Sequence, residues 1–295
     1  MQHIAGAGRS PLQSWFTALF AGFALSGAIA VSLGAQQAQQ GTGSDAEPPS
    51  ADWHGFVGVG GATLGSYYGG DARRELPFPL FRAEYRNRVY LGASETGLGG
   101  GLGVYLRRGR VDWSVHLAGS ETRRERLADV LAGMRDRKES MFGGTSVTMR
   151  YGIASAGASI AGALGHRAGV QGTAGITVGG AFASRWSGAL SGSATVADRR
   201  NMAYDFGISA TEAARRHALV AAGDRRLTAS EAAQFAPRGG VKDVRSSAQL
   251  GYAIAPRWQA VSVVSASWLQ GDAAASPLAR KRSALTAALG AAWRF

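Results

Sequence analysis

The C-terminal stretch Leu285-Thr286-Ala287-Ala288-Leu289-Gly290-Ala291-Ala292-Trp293-Arg294-Phe295 decides the fold. Its odd positions (Leu285, Ala287, Leu289, Ala291, Trp293, Phe295) share one face of an extended chain, and Thr286, Ala288, Gly290, Ala292 and Arg294 share the other. Successive side chains of a strand point to opposite faces, so this alternation is the mark of a strand with two different environments. The same split recurs upstream. Val111, Trp113, Val115 and Leu117 oppose Asp112, Ser114 and His116, and Val170, Ala174, Ile176, Val178 and Phe182 oppose Gln171, Thr173, Gly175, Thr177 and Gly179. Trp186, Leu190, Ala194 and Val196 oppose Ser187, Ala189, Ser191, Ser193 and Thr195, and Val244, Ala248, Leu250, Tyr252 and Ile254 oppose Arg245, Ser247, Gln249 and Gly251.

A soluble β-sandwich also alternates, but its second face meets bulk water and carries Lys, Glu and Thr. Here the second face is mostly Gly, Ala and Ser, which suits the crowded interior of a narrow barrel with its apolar face turned to lipid. Trp258 and Trp268 fall on one face, ten residues apart. On a tilted strand that separation is roughly 25 Å along the membrane normal, the height of an outer-membrane apolar band.

These runs predict an all-β, antiparallel transmembrane β-barrel of twelve strands, near residues 53–64, 79–86, 89–94, 98–107, 111–118, 139–151, 154–165, 169–183, 186–198, 243–254, 258–270 and 283–295. Ten strands is the alternative if 79–94 is one bent strand. Connections at one end are short, at Asn87-Arg88, Arg108-Gly109-Arg110, Gly152-Ile153, Ser184-Arg185 and Ala255-Pro256-Arg257. Those at the other include 65–78, 119–138, 199–242 and 271–282. Short periplasmic turns and long outer loops are the habit of such barrels. Helix-favouring composition in 123–138, around 212–216 and in 229–235 predicts short helices inside the long loops.

The N-terminus has the layout of an export signal. Arg9 precedes an apolar run from Trp15 to Ala35, and the polar Gln36-Gln37-Ala38-Gln39-Gln40 follows. Residues 1–38 read as a signal peptide, with cleavage after Ala30, Gly34 or Ala38. A retained anchor is the other reading of a run this long. Residues 39–51 read as a disordered lead-in and 52–295 as the barrel, which places the protein in the outer membrane of a Gram-negative cell envelope.

The chain has no Cys among its 295 residues, which removes disulfide frameworks and thiolate chemistry. Its net charge of +12 comes from scattered Arg mixed with acids, such as Arg123-Arg124-Glu125-Arg126. That pattern points to loops near anionic head groups rather than to nucleic acid. The glycine runs Gly58-Val59-Gly60-Gly61 and Gly99-Gly100-Gly101-Leu102-Gly103 lack the Lys-Ser/Thr of a phosphate loop. No metal or cofactor is expected, because His3, His54, His116, His166 and His217 show no ligand spacing. Ser114 and His116 share a lumen face, either as an interior hydrogen-bonded pair or as the base and nucleophile of a barrel hydrolase. The interior pair is preferred, so no catalytic residue is assigned. Arg82, Glu84 and Arg86, with Arg107 and Arg150, form a charged lumen face that either tunes a pore or pairs within itself.

Four motifs carry a resemblance to a family. They are Tyr67-Tyr68-Gly69-Gly70-Asp71 leading to Pro77-Phe78-Pro79, Arg126-Leu127-Ala128-Asp129-Val130-Leu131-Ala132-Gly133-Met134, Tyr204-Asp205-Phe206-Gly207-Ile208-Ser209, and Gly271-Asp272-Ala273 with Ser276-Pro277-Leu278 before a last strand ending in Phe295. From about residue 56 onward the chain resembles the MipA/OmpV family of MltA-interacting outer-membrane proteins. Gly70 replaces a Ser of that pattern, and Asp205 interrupts an aromatic pair. The resemblance implies a non-catalytic outer-membrane barrel that scaffolds a lytic transglycosylase and a peptidoglycan synthase. The alternative is a small pore, or a barrel for envelope stress or adhesion.

Overall fold

The structure, a computed structural model, describes residues 52–93, 100–119, 123–137, 140–165 and 169–295. The signal peptide, the lead-in and His166 lie outside the described residues. Twelve antiparallel strands close into one barrel in sequence order. They are β1 Trp53–Gly65, β2 Arg73–Tyr85, β3 Val89–Ala93, β4 Gly100–Arg108, β5 Val111–Gly119 and β6 Met141–Tyr151, then β7 Ala154–Ala163, β8 Val170–Ala181, β9 Trp186–Ala197, β10 Gly240–Ala255, β11 Trp258–Leu269 and β12 Ser283–Arg294. Closure is made by β1 against β12, from Phe56↔Arg294 to Thr63↔Ala287. The terminal Phe295 continues that ladder, its N–H donating to the Gly55 carbonyl at 3.1 Å. The twelve-strand reading therefore holds over the ten-strand one, because β2 and β3 are separate strands joined by a tight turn. Arg86 and Asn87 both take positive φ there, 50° and 55°, within the three-residue connection between the paired Tyr85 and Val89.

The alternation has its expected consequence. Leu285 and Leu289 of β12, Trp113, Val115 and Leu117 of β5, and Ile176 and Val178 of β8 are exposed on the outer wall. In water such a surface would be an aggregation hazard, whereas in a bilayer it is the lipid contact. No described helix is long and apolar enough to cross a membrane. Aromatic rings gather at the short-turn end, where Trp53 lies 5.0 Å from Tyr85 and Trp186 lies 4.7 Å from Tyr252, centroid to centroid. Trp258 and Trp268 stand exposed at opposite ends of β11, as their spacing predicts.

Three expectations are corrected. First, β2 begins at Arg73 rather than near 79, so the loop before it is only 66–72. Pro77 and Pro79 conceal the strand because proline cannot donate to a ladder. They are tolerated because pairing with β3 is confined to Arg82–Tyr85, leaving the earlier half of β2 bonded to β1 alone among the described residues. Second, residues 229–235 form turns, not a helix, and 123–137 holds only two 3-10 turns, Glu125–Leu127 and Asp129–Leu131. The helices among the described residues are α1 Arg199–Phe206, α2 Ala210–Ala221 and the one-turn α3 Gly271–Ala275.

Third, the lumen is not uniformly small and polar. Phe56, Phe78, Leu80, Val261 and Val263 point inward and form an apolar core with Ala62, Ala288 and Ala292 on the strands flanking the closure seam. Glycine makes room for it. A Cβ on Gly290 would stand 2.7 Å from Leu80 Cδ1, and one on Gly60 would stand 3.0 Å from the Phe78 ring. Pattern reading misses this wall because β2 is apolar on both faces, through Phe78 and Leu80 inward and Pro77, Pro79 and Phe81 outward.

Candidate functional site

Two clusters and a cap occupy the barrel. The first cluster lies in the lumen toward the short turns. Arg82 and Glu84, two residues apart on β2, form a buried ion pair. Arg82 Nη2 also donates to Tyr105 Oη at 2.9 Å, and His54 Nε2 lies 3.2 Å from Glu84 Oε2. The rings of Tyr90 and Tyr105 stack at 4.6 Å, with the Arg82 guanidinium 5.3 Å from the Tyr90 ring. Here a charge survives burial because paired carboxylate, hydroxyl and ring faces replace its water. Arg86 is not part of this face. It lies in the hairpin turn, exposed, with its Nε 2.8 Å from Asp52 Oδ1. The side chain of Arg107 lies outside the described residues.

The second cluster is on β5 and β6. Arg150 pairs with the buried Asp112, so this part of the lumen charge is also paired within itself. Ser114 and His116 are both buried in the lumen, as the alternation predicts. They do not bond each other. Ser114 Oγ lies 2.7 Å from Ser146 Oγ on the neighbouring strand, and neither ring nitrogen of His116 has a hydrogen-bond partner among the described residues. Residues two apart on a strand are separated by about 6.6 Å, whereas cross-strand neighbours approach within about 5.5 Å, so the lateral partner wins. The same geometry leaves Ser114 and His116 without the hydrogen bond that would join a serine nucleophile to its base. Among the described residues no group of three or more His, Asp or Glu is arranged to hold a metal.

The cap covers the other mouth, and the four family-like motifs converge in it although they lie far apart in the chain. Val130, Leu131 and Met134 from the β5–β6 loop pack with Ile208 and Ala213 from the β9–β10 loop and Leu278 from the β11–β12 loop. Tyr67, from the loop after β1, lies against them and donates its hydroxyl to the Leu278 carbonyl at 2.9 Å. Burial, then the charge of Asp71, pushes the Tyr67 phenol well above its ordinary range, so it stays a donor. Ser276 Oγ donates to the Phe206 carbonyl at 2.7 Å, and Phe206 meets the Tyr68 ring edge-on at 6.3 Å.

Arg216 is the centre of the cap. It is fully buried and donates to the carbonyls of Val130 at 2.7 Å and Ala132 at 2.9 Å, and to that of Glu231 at 3.2 and 2.8 Å. One guanidinium thus ties the β5–β6 loop to both halves of the β9–β10 loop. Arg123, which burial pushes down to about 10 but leaves a cation at neutral pH, donates to the Asp205 carbonyl at 2.6 Å. The cap is fixed to the wall by Lys242. A register shift between Val241 and Asp243 turns both Lys242 and Asp243 inward. Lys242 Nζ donates to Asp205 Oδ2 at 2.6 Å and to Asn201 Oδ1 and Gln171 Oε1, each at 3.3 Å.

In the sequence Arg216 is legible only as part of a helix-favouring run, and Lys242 falls at the end of the long connection 199–242. A capping signal was nevertheless present. Ser209-x-x-Glu212 forms a capping box, the Ser209 hydroxyl accepting from the Glu212 N–H and Glu212 Oε2 accepting from the Ser209 N–H at 3.0 Å. Burial pushes the Glu212 carboxyl up. The bonds from Ser209 and from the Arg135 N–H overcome this and hold it below the ordinary carboxylate range. A depressed folded value contributes stability above the unfolded value near 4.5 that is lost as pH falls through the folded one. The cap is therefore expected to loosen below about pH 4.5 before the barrel melts, and Glu212→Gln is expected to shrink that acid transition. Loop proteolysis at stepped pH tests this, and identical acid profiles for both proteins would contradict it.

A closed barrel with a lipid-facing apolar wall, paired lumen charges and a latched cap is an outer-membrane β-barrel protein. The model of the family described as "MltA-interacting protein MipA" matches residues 57–295. The chain belongs to that family. Among curated proteins none matches it. Solved structures similar to it include an anion-selective porin from Comamonas acidovorans, at 8% identity and TM-score 0.39, covering 82% of this chain and 98% of that one. An outer membrane channel from Pseudomonas putida F1 matches at 9% and 0.39, covering 85% and 100%. OmpT of Vibrio cholerae matches at 8% and 0.35, covering 83% and 97%. Likeness at this level carries no information about activity.

Proposed function

We propose that this protein is a non-catalytic scaffold that docks cell-wall enzymes, a lytic transglycosylase and with it a peptidoglycan synthase, at the short-turn end of its barrel. The family match over 57–295 carries this reading, through the MltA-interacting role in the family's description. The architecture fits it. The outer mouth is occupied by a packed cap and the described lumen charges are largely paired. The short turns end the barrel on the periplasmic side, where enzymes of the peptidoglycan act.

The test is a pull-down from detergent-solubilised envelopes with the refolded barrel as bait. Enrichment of a lytic transglycosylase or a peptidoglycan synthase supports the scaffold. A blank with bait shown to be folded removes it.

A further inference from the structure

The short-turn rim carries a second feature that docking does not require. Arg108 ends β4 and Arg110 lies in the turn before β5, Arg185 comes immediately before Trp186, and Arg257 immediately before Trp258, all exposed. No ion pair to any of these four arginines is described. Their position relative to the wall is informative. Tyr151 is exposed on the outer face at the end of β6, and the Arg110 guanidinium lies over its ring, 4.7 Å from the centroid. The guanidinium is thus held against the lipid-facing side of the rim rather than aimed along the barrel axis. Arg86 does the same over the Tyr85 ring at 5.1 Å, but Asp52 already neutralises it.

Aromatic rings at a barrel edge sit at head-group depth. A cation stacked on such a ring therefore meets lipid phosphate, which the guanidinium fork matches through paired N–H donors. We propose that Arg108, Arg110, Arg185 and Arg257 form a collar that holds the phosphates of anionic phospholipids in the adjoining leaflet. Arg110 on Tyr151 is its best-formed site. Zwitterionic lipid offers the same phosphate but cancels it with an ammonium group, so the collar prefers phosphatidylglycerol to phosphatidylcholine. This surface lies on the outer side of the rim, and it stands or falls independently of enzyme docking.

The test uses the full barrel refolded into vesicles, with its Trp fluorescence quenched by brominated phosphatidylglycerol or brominated phosphatidylcholine. At low salt the anionic lipid is expected to compete about fivefold better, and the preference falls as salt rises. Combined replacement of the four arginines by Gln abolishes the preference, and replacement by Lys keeps most of it. Heat-modifiable gel mobility establishes that both variants fold. Equal quenching by the two lipids, or a preference unchanged in the Gln variant, overturns the collar. Displacement by millimolar inorganic phosphate also overturns it, in favour of a site for free anions. Loss of an enzyme partner in the Gln variant, with lipid preference intact, assigns the arginines to an acidic protein surface and equally overturns it.

Discussion

Replacing Arg216 with Met is expected to destabilise the cap by about 3–5 kcal/mol and to open the barrel mouth. The wild-type guanidinium satisfies the carbonyls of Val130, Ala132 and Glu231 in a site with no exposure. Methionine fills much of the volume but donates nothing. Each carbonyl left buried and unbonded costs about 1–3 kcal/mol, and bonds to a charged donor are stronger than neutral ones. The apolar packing of Leu131, Met134, Ile208 and Leu278 remains, so the cap swings loose from its latch rather than dissolving. The barrel wall is untouched, because Arg216 contacts no strand through these bonds. Limited proteolysis is expected to cut the variant within 198–239, while a heat-modifiable barrel core survives. In planar bilayers the wild type is expected to stay closed and the variant to show conductance steps. Arg216→Lys keeps the charge without the fork and falls between them. Equal protease resistance in all three proteins would show that the latch does not hold the cap.

Leu289→Arg is expected to cost about 2–4 kcal/mol in lipid vesicles. Leu289 lies midway along β12, 64% exposed on the outer wall, between Gly61 of β1 and Ser262 of β11. At that depth an arginine head has neither water nor a counter-ion within easy reach, and snorkelling from the centre of the band is costly. Leu285 faces the same way but lies close to the long-loop edge, two residues from the Trp268↔Ser283 pair. Leu285→Arg is therefore expected to cost only about 0–1 kcal/mol. Urea unfolding in vesicles compares the two. Equal costs at both depths would mean that the bilayer is not what this wall faces. An unchanged midpoint for Leu289→Arg would mean that the facing assignment is wrong.

Residues on β5 show where legibility in the sequence begins and ends. The sequence places Asp112, Ser114 and His116 on one face, and they do line the lumen together. It suggests that Ser114 and His116 bond, and instead Ser114 turns sideways to Ser146. Lateral neighbours depend on register between strands far apart in the chain, which period-two reading does not contain. The same limit applies to Arg82, Glu84 and Arg86. Two continue the alternation into the lumen, and the third leaves it at a turn whose position depends on where pairing with β3 stops.

By itself, then, the sequence determines the strands apart from the first half of β2, their lipid-facing sides, their even number and the short and long ends. Each of these follows from local alternation of side chains about an extended backbone and from turn-forming residues between the runs. Only the tertiary structure decides that Tyr67, Leu131, Ile208 and Leu278 meet in one core, that Arg216 latches it, and that Lys242 is turned inward by a bulge. Those features arise from contacts between loops brought together by barrel closure. A buried arginine is written in the sequence like an exposed one, and what distinguishes it is the set of carbonyls that folding brings around it.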